Sequence, residues 1–190
     1  MSMSELHKPE WYGECAIISD KYNDYVQIKY KCNGTGTLYD YSLFPGINLI
    51  FMDFNCSDIF HEPIPNKNII EIRHYQKGRV EFELRNNKVF HMKEGELCIN
   101  ALANVPAAYS FPFGYSVGLS CVIDKDSIDA KTKQIFSYYN IDVLNLGQEL
   151  EIEKKWFLCR TPQRLLHIFD ELYAAKGVEG KDYFRIKLLE

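Results

Sequence analysis

Paired cysteines are missing from this chain: its six fall at positions 15, 32, 56, 98, 121 and 159, with no C-x-x-C and no scaffold-like spacing. That argues against a disulfide-stapled domain and against a C-x-x-C redox or zinc motif. Most sit in apolar, strand-like runs, so buried reduced thiols are expected. An excess of positive charge is missing too, with 22 Lys and Arg against 26 Asp and Glu. Without a basic stripe this segment is not expected to grip phosphates, and any DNA contact must come from elsewhere. The opening MSMSELHKPEWYGE has no basic n-region followed by an apolar core. No stretch approaches the ~18 apolar residues of a membrane span, so no membrane association is expected and the expected location is cytoplasmic. No G-x-S-x-G or comparable nucleophile arrangement occurs. Gly34-Thr35-Gly36 lacks the Lys-Ser/Thr of a phosphate loop and reads as a hairpin turn. Internal repeats and low-complexity linkers are absent.

What is present is apolar and aromatic residue in quantity, 46% and 14% of 190 residues, enough for one substantial core. From Cys15 to Ile123, β-branched and aromatic residues are broken by turn signals at Asn33-Gly34, Pro45-Gly46, Asn86-Asn87 and Gly95. Nine strands are predicted: Glu14 to Ser19, Tyr25 to Cys32, Thr37 to Leu43, Asn48 to Phe54, Ile69 to Tyr75, Arg79 to Arg85, Lys88 to Met92, Glu96 to Asn100 and Tyr115 to Ile123. Many short strands at close spacing suggest a sandwich or barrel. After Asp124 the apolar period becomes helical, at Ile128 to Tyr139, Leu165 to Tyr173 and from Phe184 onward. The predicted division is a β-barrel over 1–124 and a helical region over 125–190. The last helix is still running at Leu188-Leu189-Glu190, so the chain is expected to be a fragment leading into another domain.

The stretch EIRHYQKGRVEFEL, Glu71 to Leu84, decides what His74 can touch. Strand alternation groups Ile70, Ile72 and His74 on one face, and Glu71, Arg73 and Tyr75 on the other. Val80, Phe82 and Leu84 share a face in the second half. The apolar sets meet if Gln76-Lys77-Gly78 form a hairpin loop, with glycine closing it in a left-handed conformation. His74 is then expected on the inner face with Phe82, and Glu81 outside. His74-x-Gln76-x-x-x-x-Glu81 superficially imitates the first motif of metal cupins, but the second histidine is Gln76 and the glutamate faces away. From Gly95 through Phe113 there is no histidine to complete a site, so no metal and no other cofactor is expected. Two readings of the Asn86-Asn87 turn remain open: either His91 points inward near His74, or Phe90 and Met92 do and His91 meets solvent. Hydrophobic pattern favours the second.

The segments LYDYSLFPGINLIFMDF (Leu38 to Phe54), IIEIRHYQKGRVEFEL (Ile69 to Leu84), EGELCIN (Glu94 to Asn100), and FDELY followed by YFRIKLLE (Phe169 to Tyr173, Tyr183 to Glu190) occur in order over about residues 36–190. Together they resemble the N-terminal sensory half of AraC-type transcriptional regulators. The resemblance implies a cupin-like barrel, a double-stranded β-helix, followed by about three helices that dimerise the regulator and lead into helix-turn-helix DNA-binding units. That DNA-binding half is absent here. It also implies a small-molecule effector, a homodimer in a bacterial cytoplasm, DNA contact only through the absent half, and no enzymatic activity. His74 is the one residue carried over from it.

Around His74, the candidate pocket residues are Phe51, Phe82, Tyr109 and Tyr115, aromatic groups able to wall a cavity, together with Asp53. Asp53 shares an alternation face with Ile47, Leu49 and Phe51, so it projects inward if that face lines the barrel. A lone inward carboxylate needs a partner or a ligand. Leu165, Phe169, Leu172 and Tyr173 form a helical stripe that serves equally as a dimer interface or as a face packed on the barrel. The alternatives in other classes are a metal-dependent cupin enzyme of the isomerase or dioxygenase type, and an assembly module whose interior is packed solid.

Overall fold

β-branched and aromatic residues fit a pleated, half-buried surface, and the computed structural model builds the first two-thirds of the chain accordingly. It describes residues 16–60, 66–84, 88–103 and 106–190. The strands are β1 Ala16–Lys21, β2 Val26–Tyr30, β3 Gly34–Phe44, β4 Ile47–Cys56, β5 Asp58–Phe60, β6 Asn66–Leu84, β7 Val89–Lys93, β8 Glu96–Leu102, β9 Pro106–Ser110, β10 Ser116–Asp124 and β11 Phe157–Arg160. Three helices follow the barrel strands: α1 Ala130–Tyr138, α2 Gln163–Ala175 and α3 Lys181–Leu189. The architecture is mainly β, a curled antiparallel sheet forming a half-barrel with the helices in its C-terminal part.

One layer runs β1-β2-β3-β4-β10-β6-β8-β11, and the second is built from β5, β9, β7 and the far half of β6. Strand β6 belongs to both. Its first half lies between β10 and β8, and from Arg79 onward it pairs with β7 and β9. The expected hairpin at Gln76-Lys77-Gly78 is therefore not formed, and β6 is one strand of 19 residues. Gly78 does take the left-handed conformation, with φ +85, but it kinks the strand across the layers instead of reversing it. A Cβ there would meet the Tyr115 carbonyl oxygen at 2.4 Å, so the kink requires glycine. Just before it, Val117 pairs with Lys77 and Gly118 with Tyr75, which leaves Gln76 as an extra, bulged residue. A bulge inverts the alternation beyond it.

That inversion overturns the expected faces. Glu71, Arg73 and Tyr75 point into the barrel, as do Val80 and Phe82 beyond the bulge, whereas Ile70, Ile72 and His74 face outward. Outward does not mean solvent, because the helices cover that side and the principal layer is buried on both faces. Ile47, Ile70 and Ile123 pack with Phe136 of α1. Leu43, Leu49, Phe51 and Leu119 pack with Leu172 of α2 and Phe184 of α3. Helix α1 begins at an Asp129 cap whose side chain accepts the Thr132 amide at 2.7 Å. Strand β11, absent from the sequence-based prediction along with β5 and β9, returns from the C-terminal region to pair with β8.

The second half of β6 pairs Val80 with Met92 and Phe82 with Phe90. Phe90 and Met92 thus share the inner face, and His91 is exposed opposite Glu81, in line with the hydrophobic pattern. The Asn86-Asn87 turn and Cys15 lie outside the described residues. Among the described cysteines, Cys56, Cys98 and Cys121 are buried, and Cys32 and Cys159 are partly so, all as free thiols. Burial pushes the Cys98 and Cys121 thiols up to about 12.

Candidate functional site

A cavity of about 80 Å³ opens between the two layers. Its walls are mostly apolar: Leu38, Ile50, Phe54 and Val122 from one layer face Ile59, Tyr109 and Phe111 from the other side. Polar groups join them: Glu71 and Arg73 on β6, Ser120 on β10, and the hydroxyl-bearing rings of Tyr30, Tyr75 and Tyr109.

Arg73 is 4% exposed and Glu71 6%, so each charge needs a partner in place of water. Arg73 donates through one terminal nitrogen, NH2, to Glu71 Oε2 at 2.5 Å and to the Tyr109 hydroxyl at 3.1 Å. The Ser120 hydroxyl donates to Glu71 Oε1 in a short hydrogen bond. Rings of Phe82, Tyr109 and Trp156 surround the guanidinium carbon at 5.1, 5.4 and 5.9 Å, which fixes its plane by cation–π attraction. The other two guanidinium nitrogens, Nε and NH1, are buried and have no acceptor. Burial weakens the Arg73 charge, but the adjacent Glu71 carboxylate more than offsets this and holds the guanidinium firmly protonated. Burial also raises the phenols of Tyr75 and Tyr109, so both stay neutral hydrogen-bonding groups.

On the other face of β6, His74 is 5% exposed and stacked on Phe169 of α2, with ring centroids 4.1 Å apart. The Tyr173 hydroxyl donates to the His74 carbonyl at 3.0 Å and lies 3.0 Å from Nδ1. With that proton committed to the carbonyl, Nδ1–H is the donor to the hydroxyl, and Nε2 is the bare nitrogen. Nε2 is buried without a partner. Burial pulls the imidazole down to about 4, with a partial upward pull from Asp170.

Of the residues singled out from sequence, the cavity brings in Tyr109 directly and Phe82 as the ring beneath Arg73. His74, Phe51 and Asp53 are not in it. Phe51 lies on the helix-covered face, 5.5 Å from the Phe184 ring. Asp53 is exposed there, 3.7 Å from Lys176 Nζ. Tyr115 is 45% exposed in the turn before β10, beside Phe113. The expected dimer stripe is largely occupied within the chain, because Phe169, Leu172 and Tyr173 pack on the barrel, while Leu165 is half-buried near the start of α2.

Glu71 and Arg73, the charged centre of the cavity, lie on the face opposite the one expected to line it. A signal for them existed: Ile69 and Tyr75 share their parity, so the charges are bracketed by apolar residues on one face. Among the described residues no group of three or more His, Cys, Asp or Glu side chains is placed to hold a metal ion. A wider hollow of about 310 Å³ lies under segment 146–154. Its polar residues, Lys67, Lys125 and Glu151 among them, are all at least partly exposed.

No family model matches the chain, and no curated protein matches it. Among solved structures, the chain is similar to a cupin domain of an XRE-family transcriptional regulator from Enterobacter cloacae, at 12% identity over 45% of this chain and 92% of that one, with a TM-score of 0.37. It is similar to ToxT from Vibrio cholerae at 9% identity, over 76% of this chain and 54% of that one, with a TM-score of 0.41. A mutant of oxalate decarboxylase from Bacillus subtilis gives 13% identity, 79% and 43% coverage, and a TM-score of 0.38. These neighbours include regulators and an enzyme, and the likeness to them is one of fold.

Proposed function

We propose that this chain is the ligand-sensing domain of an AraC-type transcriptional regulator, acting by binding and not by catalysis. A small molecule occupies the barrel cavity, and its presence changes how α2 and α3 are held for a DNA-binding part elsewhere. One observation carries this reading: alternate residues of β6 serve the two sites. Arg73 and Tyr75 line the cavity, and His74 between them holds α2 through Phe169 and Tyr173. A shift of β6 on filling the cavity is therefore felt at α2 within one residue. Such coupling requires the ligand to favour one arrangement of the helix over the other. The homodimer that the resemblance implies would use a surface other than the α2 stripe.

Native mass spectrometry of the purified chain, with elemental analysis of the same sample, tests this. The expected result is a dimer that carries or takes up a small organic mass. A chain holding one stoichiometric transition metal and no organic mass would overturn the sensor reading in favour of a metal-dependent enzyme.

A further inference from the structure

The chemistry of the cavity narrows what it can bind, given the ligand-binding reading above. Its charges are one Glu and one Arg in contact, so it is already neutral. A charged guest would add an unbalanced charge to a low-dielectric enclosure, which is disfavoured unless a further partner neutralises it. Apart from tyrosine phenols, no further ionisable side chain lines the walls.

The remaining hydrogen-bonding demand is one-sided. Arg73 Nε and NH1 are donors without acceptors. On the acceptor side, each oxygen of Glu71 already receives a hydrogen bond, one from Ser120 and one from Arg73. Buried donors left unpaired are costly, so the missing component is an acceptor. A polyol would bring several donors into walls that are mainly apolar. A carbonyl group on an apolar body brings only what is lacking.

We infer that the cavity takes an uncharged, largely apolar small molecule that presents a carbonyl-type acceptor oxygen, as in a ketone, amide or ester, to the guanidinium of Arg73. The rings of Phe82, Tyr109 and Trp156 hold that guanidinium in place before the ligand arrives, so recognition requires little reorganisation.

The test is a matched set of probes of one size and three charges: benzamide with benzoate and benzylammonium, and butanamide with butanoate and butylammonium. Binding to the intact chain is followed by ligand-observed NMR and by the Arg73 Nε–H resonance, assigned by its loss in Arg73→Lys. The expected result is that the amides bind at least tenfold tighter than either charged counterpart and shift the Arg73 Nε–H signal. Arg73→Lys, which keeps the charge beside Glu71, should fold and lose that preference. Tighter binding of the carboxylates or ammonium ions would overturn this inference and leave the ligand-binding reading standing. If no probe of any charge binds or perturbs the Arg73 signal, both are overturned.

Discussion

Arg73 and Glu71 can be separated energetically, because a buried ion pair is disrupted far more by losing one partner than by losing both. Arg73→Met leaves the Glu71 carboxylate buried with only Ser120, and a loss of ~3–5 kcal/mol in unfolding free energy is expected. Adding Glu71→Leu should recover most of that loss. Urea unfolding of the two single variants and the double variant gives the coupling, and additive effects would show that the pair is not a unit. His74 makes a pH-dependent contribution of known sign. Its imidazole is held at about 4 in the folded chain, against ~6.5 when unfolded, so the unfolded chain binds the proton first as the pH falls. Stability is therefore complete above about pH 6.5 and declines toward pH 4, by on the order of 3 kcal/mol in total. Replacing His74 by Leu should flatten that decline between pH 7.5 and 5.0 in denaturant titrations. Equal pH slopes in the two proteins would contradict the assignment.

At the scale of elements, β6 depends on two close approaches. The bulge at Gln76 and the kink at Gly78 carry the strand from one layer to the other, and Gly118 on β10 lets the Tyr75 ring cross it. A Cβ at Gly118 would stand 2.8 Å from both the His74 carbonyl oxygen and the Tyr75 ring. Gly118→Ala should thus cost about 1–3 kcal/mol by overpacking, measurable as a lower urea midpoint with an unchanged slope. An unaltered midpoint would mean that the strands separate there at no cost. The same bulge reverses the faces that the sequence suggests. Period-two alternation identifies eight of the eleven strands to within about three residues at each end, β6 as two pieces, and helical spacing identifies the three helices. The expected inner face, however, rests on a hairpin at Gln76-Lys77-Gly78 that would set His74 beside Val80 and Phe82, and a continuous strand with one bulged residue sets them on opposite faces instead. The short strands β5, β9 and β11 gave no run of their own because pairing to longer neighbours, not local propensity, makes them strands.

At the scale of the whole molecule, helices α2 and α3 convert what would be a solvent face of the principal layer into a second core. This is why inside and outside are hard to tell from the sequence: both parities of β4 carry apolar residues, and hydrophobicity alone cannot say which set meets the cavity. Tyr109 and Phe82 were legible as candidate pocket residues because they are large aromatics on strands. For Glu71 and Arg73 the sequence signal lies only in Ile69 and Tyr75, the apolar residues that bracket them, because a buried pair has the same residue types as a solvated one. The fold thus makes β6 a thin wall between a polar-centred cavity and a helix. The most direct test of that account is hydrogen exchange across α2, measured with the chain free and then saturated with the tightest-binding amide of the probe set. Filling the cavity should change protection of the α2 amides from Leu165 to Tyr173 by about fivefold or more, the lower range of coupling between sites, and leave α1 unchanged. Saturation of the cavity with no change in α2 would contradict it.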